Sequence, residues 1–160
     1  MAVQNCAVRI SAKADYAVRA AIVLAVANSE GPTTAEFIAH SQEIPLKFLL
    51  NILSELKRGR IVASHRGTHG GFQLARPAAE ITVADVIRSV EGPLASVHEI
   101  LPENITYPPP SENLRQVWIA VRVSLRSVLE RVTIADLASG SLPDAVLAMS
   151  ASPEAWSARG

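Results

Sequence analysis

The segment His65-Arg66-Gly67-Thr68-His69-Gly70-Gly71 gathers the densest set of chemically capable side chains in the chain. Its two imidazoles stand four residues apart, a spacing that on a helix would aim both at one metal ion. Here the glycines and the flanking strand-forming residues predict a hairpin tip, where that spacing has no ligand geometry. Phosphate contact or plain solvation is the better use of both histidines. Arg66, with glycine behind it, suits a narrow and electronegative groove that admits little bulk. Lys47 and Phe48 form a second group just after Pro45. They offer a cation and a ring that can pack against a thymine methyl. Cys6 is the one cysteine, which excludes a disulfide framework and a Cys-rich zinc site. No phosphate loop, nucleophile elbow or His/carboxylate set for metal hydrolysis occurs, so the chain is not expected to be an enzyme.

The elements that must position these groups come from a chain of 160 residues, 49% hydrophobic and 19% charged. That is enough for a sizeable core and too apolar for overall disorder. The longest apolar run, from Ala20 to Ala27, falls far short of the ~20 residues that span a bilayer. The polar first residues do not form a signal peptide, and a soluble protein of a reducing cytoplasm is expected. The zero net charge divides unevenly. Residues 1–76 carry nine Lys/Arg against five acids, and residues 77–160 carry six against ten. A basic front half joined to an acidic back half fits a nucleic-acid-binding face attached to something else.

Ser11 predicts the cap of a first helix reaching about Asn28, with Ala14, Val18, Ala21, Ile22, Ala25 and Val26 on its buried face. Thr33 or Thr34 caps a short second helix to about His40, with Phe37 and Ile38 inward. Pro45 opens a third helix from within its first turn, and Gly59 stops it after Arg58. Its apolar stripe is Phe48, Leu49, Ile52, Leu53 and Leu56. The period then changes. Residues 61–64 and 72–75 read as paired strands around the glycine-rich loop. Thr82 and Asp85 form a capping box for a helix from Val83 to Glu91. After a loop ending in Pro108-Pro109-Pro110, an apolar stripe of Leu114, Val117, Trp118, Val121, Leu125, Val128 and Val132 predicts one helix from residue 113 to about 138, roughly 38 Å long at ~1.5 Å per residue. Such a helix, with nothing after it to cover the stripe, calls for a second copy of the chain. Arg122, Arg126 and Arg131 would form its solvated face, and Glu130 would pair with Arg126. No internal repeat is evident, and residues 140–160 read as a disordered tail.

Helix, helix, short turn, helix and hairpin is the order of a winged helix-turn-helix. In that module the third helix enters the major groove, the second meets phosphates, and the hairpin reaches a minor groove. The fold class expected is therefore mostly α with a small β-hairpin. The residues "ISAKADYAVRAAIVLA" and "IPLKFLLNILSELKRGRIVASHRGTHGGFQLARPAAEITVADVIRSVEGPL" resemble the Rrf2 (Rrf-two) family of bacterial winged-helix transcriptional regulators. The resemblance covers about residues 10–95, and the helix from about Asn113 resembles the family's dimerisation helix.

The resemblance implies residues 1–92 as the DNA-binding domain, 93–112 as a sensor loop and linker, and 113–139 as the dimerisation helix. It implies major-groove contacts from Pro45, Lys47 and Phe48 with Asn51 on the same side, and a minor-groove contact from Arg66. Thr33, Thr34, Ser41, Ser64, His65, Gly67, Thr68 and His69 complete the DNA-facing set. Some relatives read cytosine with a glutamate where this chain has Leu50, so no target sequence carries over. Cluster-binding relatives hold iron–sulfur with three cysteines in the loop, and residues 95–110 contain none. Its His98, Glu99 and Glu103 are a poor ligand set for a cluster. The expectation is a homodimeric repressor on double-stranded DNA with a roughly palindromic operator, no cluster or other metal cofactor, no membrane partner, and an unidentified small-molecule effector. The alternatives are a winged-helix module that docks a protein, or a sensor using an atypical cluster through Cys6 and His98.

Overall fold

The structure is a computed structural model that describes residues 10–157. Cys6 and the roles considered for it lie outside that range. Helix α1 spans Ala12–Val26, capped by the Ser11 hydroxyl, which accepts from the Ala14 amide at 3.0 Å. Its buried face differs from the expected one. Ala14, Ala17, Ala20, Ala21 and Leu24 are buried, Val18, Ile22 and Ala25 are half-buried, and Val26 is exposed. The alanine row lets the helices Leu46–Arg58, Val83–Glu91 and Ile134–Ser139 approach α1 closely, and the branched residues are left on its flanks.

Helix α2, Ala35–Gln42, is capped by Thr34 rather than Thr33. Ile38 is buried as expected, but Phe37 is 58% exposed. Ala35, Ile38 and Ala39 align at three- and four-residue spacing, and Phe37 lies about 100° away from Ile38 around the axis. Glu43 then takes a left-handed conformation with φ 54°, and the Ile44 amide returns to the Ala39 carbonyl at 2.9 Å. This closes the turn. Pro45 occupies the cap position, not the first turn, and α3 runs Leu46–Arg58 to a stop at Gly59. Leu49, Ile52, Leu53 and Leu56 are fully buried, whereas Phe48 is 40% exposed and leaves the expected stripe.

Strands β1, Val62–His65, and β2, Gly71–Leu74, pair antiparallel with Val62 opposite Leu74 and His65 opposite Gly71. Helix α4, Val83–Glu91, has the expected Thr82/Asp85 capping box. The order of elements and the hairpin confirm the winged helix-turn-helix.

The C-terminal third departs from expectation. Helix α5 covers only Leu114–Leu129, about 24 Å at ~1.5 Å per residue. The chain turns at 130–133, and α6, Ile134–Ser139, folds back onto α1. Val132, assigned to the dimer seam, is 5% exposed in this subunit's own core, and Ile134 is wholly buried there. The break has a sequence cause: Thr133 and Asp136 form a second capping box, which starts a new helix where the stripe alone would continue the old one. Within the tail expected over 140–160, the described part up to residue 157 is not featureless, since α7 spans Asp144–Ser150 and a short turn follows at Pro153–Trp156.

An internal repeat also emerges. Ile81-Thr82-Val83-Ala84-Asp85-Val86 and Val132-Thr133-Ile134-Ala135-Asp136-Leu137 match in pattern, and each starts a helix. The two pair reciprocally, the Val83 amide donating to the Val132 carbonyl at 2.9 Å and the Ile134 amide to the Ile81 carbonyl at 2.8 Å. Both aspartates titrate below the ordinary carboxylate range. At Asp85 burial opposes this but is outweighed by the Thr82 amide and hydroxyl and by Arg76, while at Asp136 the Thr133 amide and hydroxyl act alone against a small burial penalty.

Candidate nucleic-acid interface

Cap geometry and the Glu43 turn place α2, α3 and the hairpin around one surface. Thr33 lies outside α2 and pairs with β2 instead: its amide donates to the Phe72 carbonyl at 2.9 Å, and its carbonyl accepts from the Phe72 amide at 2.8 Å. The hairpin is thereby tied to the entry of α2. Gly71 makes this approach possible, with φ 150° and a position where a Cβ would stand 2.5 Å from the Thr33 carbonyl oxygen. Lys57 at the end of α3 bonds the Ser64 hydroxyl on β1 at 2.6 Å, which fixes the other side of the wing. Ser64 is therefore a brace for the hairpin. Beyond it His65, Arg66, Gly67, Thr68 and His69 are all exposed at the tip.

Along α3 the exposed face carries Leu46, Lys47, Leu50, Asn51 and Ser54. Lys47 and Asn51 thus share the outward side, as expected. Phe48 sits at its margin, meeting the Tyr16 ring edge-on with centroids 5.8 Å apart. The Arg19 guanidinium lies 5.3 Å from the Tyr16 centroid and also bonds the Gln42 side chain and carbonyl. Sequence reasoning missed this brace. It connects α1 to the end of α2 and the start of α3, and its only signal is the three-residue spacing of Tyr16 and Arg19. Thr34 is occupied as a cap, and Ser41 turns its hydroxyl back to the Ile38 carbonyl at 3.1 Å while remaining exposed.

Cations without a carboxylate partner concentrate on this surface. Lys13, Arg19, Arg76, Arg88, Arg122 and Arg126 each have a carboxylate partner within 4.0 Å. Lys47, Lys57, Arg58, Arg60 and Arg66 have none among the described residues and are exposed on α3, the turn after it or the wing; Arg115 in α5 and Arg131 in the turn that follows α5 are the other two without one. Unpaired cations on a helix face and hairpin tip are the electrostatic footprint that phosphates neutralise.

The loop before α5 has a different chemistry. Val97 and Ile100 close a tight turn with His98 and Glu99 exposed at its tip, both at positive φ. Glu103 instead pairs with Arg122 at 2.5 Å, and its own amide together with that guanidinium holds the carboxyl below its usual range. No three His, Cys, Asp or Glu side chains converge anywhere among the described residues. These donors do not fit an iron or iron–sulfur site. Arg88, Leu94, Leu101, Arg122 and Arg126 line a groove of about 450 Å³ between α4, the loop and α5. No buried residue occurs in α5, where Leu114 and Val117 are exposed and Val121, Leu125 and Val128 half-covered. Trp118 donates to the Tyr107 hydroxyl at 3.0 Å and so packs partly on its own loop. Arg122 is likewise engaged, whereas Arg126 pairs with Glu130 at 3.6 Å as expected.

No helix among the described residues is long and apolar enough to cross a membrane. A family model described as "Rrf2: Iron-dependent Transcriptional regulator" matches residues 10–140. The helix-turn-helix protein Rv1287 of Mycobacterium tuberculosis (strain ATCC 25618 / H37Rv) is 50% identical over 138 residues, 86% of each chain. The regulator CymR of Bacillus subtilis (strain 168) is 34% identical over 131 residues, 82% of this chain and 90% of that one. The solved structure of CymR from B. subtilis superposes with a TM-score of 0.70 at 33% identity, covering 83% of this chain and 98% of that one. For T. potens IscR the TM-score is 0.66 at 30% identity, over 96% and 94%. Fold, unpaired cations and relatives agree: the chain belongs to the Rrf2 family of DNA-binding transcriptional regulators.

Proposed function

We propose that the protein is a homodimeric repressor that reads a roughly palindromic operator and works without a cysteine-ligated iron–sulfur cluster. The observation that carries the DNA-contacting assignment is the concentration of cations without a carboxylate partner on α3, the turn after it and the wing, where Lys47, Lys57, Arg58, Arg60 and Arg66 lie, against Arg115 and Arg131 alone elsewhere among the described residues. In this reading α3 lies in the major groove with Lys47 and Asn51 toward base edges, and Arg66 enters the flanking minor groove. The exposed apolar residues Leu114 and Val117 support α5 as the dimer seam, and a two-fold axis through it makes the operator palindromic. The cysteine-free loop and its divergent donors support a signal other than a loop-bound cluster, and the groove beside α5 is where a small effector would meet both halves of the subunit.

The test is binding of wild type, Arg66→Ala and Lys47→Ala to duplexes selected from a random pool, across a salt series. Wild-type affinity falls steeply with salt. Arg66→Ala loses about 1–3 kcal/mol on the selected site together with its preference for flanking A·T pairs. If Lys47 touches only phosphate, Lys47→Ala weakens all sequences alike and lowers the salt slope by about one. Salt-insensitive retention would instead mark a protein-docking module. Wild-type flank preference in Arg66→Ala would remove the wing from the reading machinery.

A further inference from the structure

Three large apolar side chains, Leu46, Phe48 and Leu50, are exposed within five residues at the start of α3. Phe48 has the Tyr16 ring against it, and Leu46 sits beside the turn. Leu50 is different. It is 45% exposed at the middle of the outward face, between Lys47 and Leu46 one turn before it and Ser54 one turn after it. The side chains C-terminal to it on that face, Asn51 and Ser54, are too short to cover a leucine. Lys47 one turn before it, Arg58 at the end of the same helix and Arg66 on the wing are exposed cations without a carboxylate partner, and they favour an occupant that carries negative charge.

We infer that Leu50 is a specificity-determining residue, and that in each half-site it selects a thymine by packing on the thymine C5-methyl group. The inference rests on the DNA-reading role proposed above. Leucine has no donor or acceptor, and the thymine methyl is the one apolar group that base edges offer in the major groove. The selection also works by exclusion. A cytosine amino group or a guanine carbonyl pressed against Leu50 gives up water and gains no hydrogen bond in return. Lys47 and Asn51 hold the helix in register while Leu50 discriminates.

The experiment starts from duplexes enriched out of a random pool by the full chain. Each thymine of the enriched half-site is replaced singly by deoxyuridine, which removes the methyl and nothing else. Wild type is expected to lose about four-fold in affinity at one thymine per half-site, as for one buried methyl-sized group. Replacing that thymine by cytosine costs roughly 5- to 150-fold, the range of one mismatched pair. Leu50→Ala, exposed and so neutral for folding, should bind the thymine and deoxyuridine duplexes equally. Leu50→Glu should enrich cytosine there, because a carboxylate accepts from the cytosine amino group. Wild type indifferent to every thymine methyl overturns the inference. So does a deoxyuridine penalty that persists unchanged in Leu50→Ala. Failure of the wild type to enrich any sequence overturns the DNA-reading role itself, a different result from enrichment without methyl dependence.

Discussion

Replacing Gly71 by alanine changes no side chain proposed to touch DNA, yet it acts on the seam that aims the wing. The added Cβ would stand 2.5 Å from the Thr33 carbonyl oxygen, 2.7 Å from its carbon and 3.1 Å from its nitrogen. All three are backbone atoms, so no rotamer change relieves the clash. The strand must retreat and lose both Thr33–Phe72 hydrogen bonds. Each contributes about 0.5–1.5 kcal/mol. The φ of 150° adds a strain of roughly 1–2 kcal/mol for a residue with a Cβ. The sum is a destabilisation of about 2–5 kcal/mol. Gly67→Ala is the matched control, because Gly67 has φ 106° with open space around it and pays only the strain of roughly 1–2 kcal/mol. Urea unfolding followed by far-UV circular dichroism measures both. Binding of the two variants to one selected duplex then shows whether Gly71→Ala also loses the flank preference that Arg66 supplies. The reasoning fails if Gly71→Ala is no more destabilising than Gly67→Ala.

Other consequences can be checked with the same methods. Ile134→Ala should cost about 2–5 kcal/mol by cavity formation, because Ile134 is wholly buried in the winged domain, whereas a residue of a free dimer helix would leave the isolated subunit unaffected. Val121→Asp with Leu125→Asp should turn a sedimenting dimer into a monomer with unchanged circular dichroism, and a monomeric wild type at micromolar concentration would refute the seam. The lowered carboxyls of Asp85 and Asp136 add stability that is complete above the ordinary value of 3.8 and is lost as pH falls through their native values. Asp85→Asn with Asp136→Asn should therefore flatten the decline of urea stability on acidification, and an unaltered decline would assign it to other groups.

The reading head was legible because its signals are local. Ser11, Thr34, Thr82 and Gly59 end or start helices through their own caps, and α3 carries a stripe of four buried residues at helical spacing. The strands shifted by only one residue. Phe37 and Phe48 are exposed where the periodicity turns them inward, because periodicity reports a face without its edges, and one rotation of about 100° separates buried from exposed. The single long helix failed for a related reason. Val132 and Ile134 continue the apolar rhythm of α5 while serving another surface, and only the Thr133/Asp136 box marks the change. Thr33 belongs to the DNA-facing set that the resemblance implies, but its backbone partner Phe72 lies far along the chain, beyond the reach of spacing arguments. The Tyr16–Phe48 contact was hidden in the same way.

The paired hexapeptides give the molecule a modular boundary. The chain leaves the reading head at Gly92 and rejoins it at Val132, where Ile81–Val83 and Val132–Ile134 hold each other by backbone bonds. Everything between is an excursion whose two ends are fixed to the same body about one α4 length apart, near 13 Å for its nine residues at ~1.5 Å each. Length and composition can therefore drift inside that cassette, cysteines included, while the paired segments Ile81–Val83 and Val132–Ile134 keep α6 seated on the winged domain. If the loop senses the signal, as proposed, one such loop is exchangeable for another without rebuilding the domain beside it.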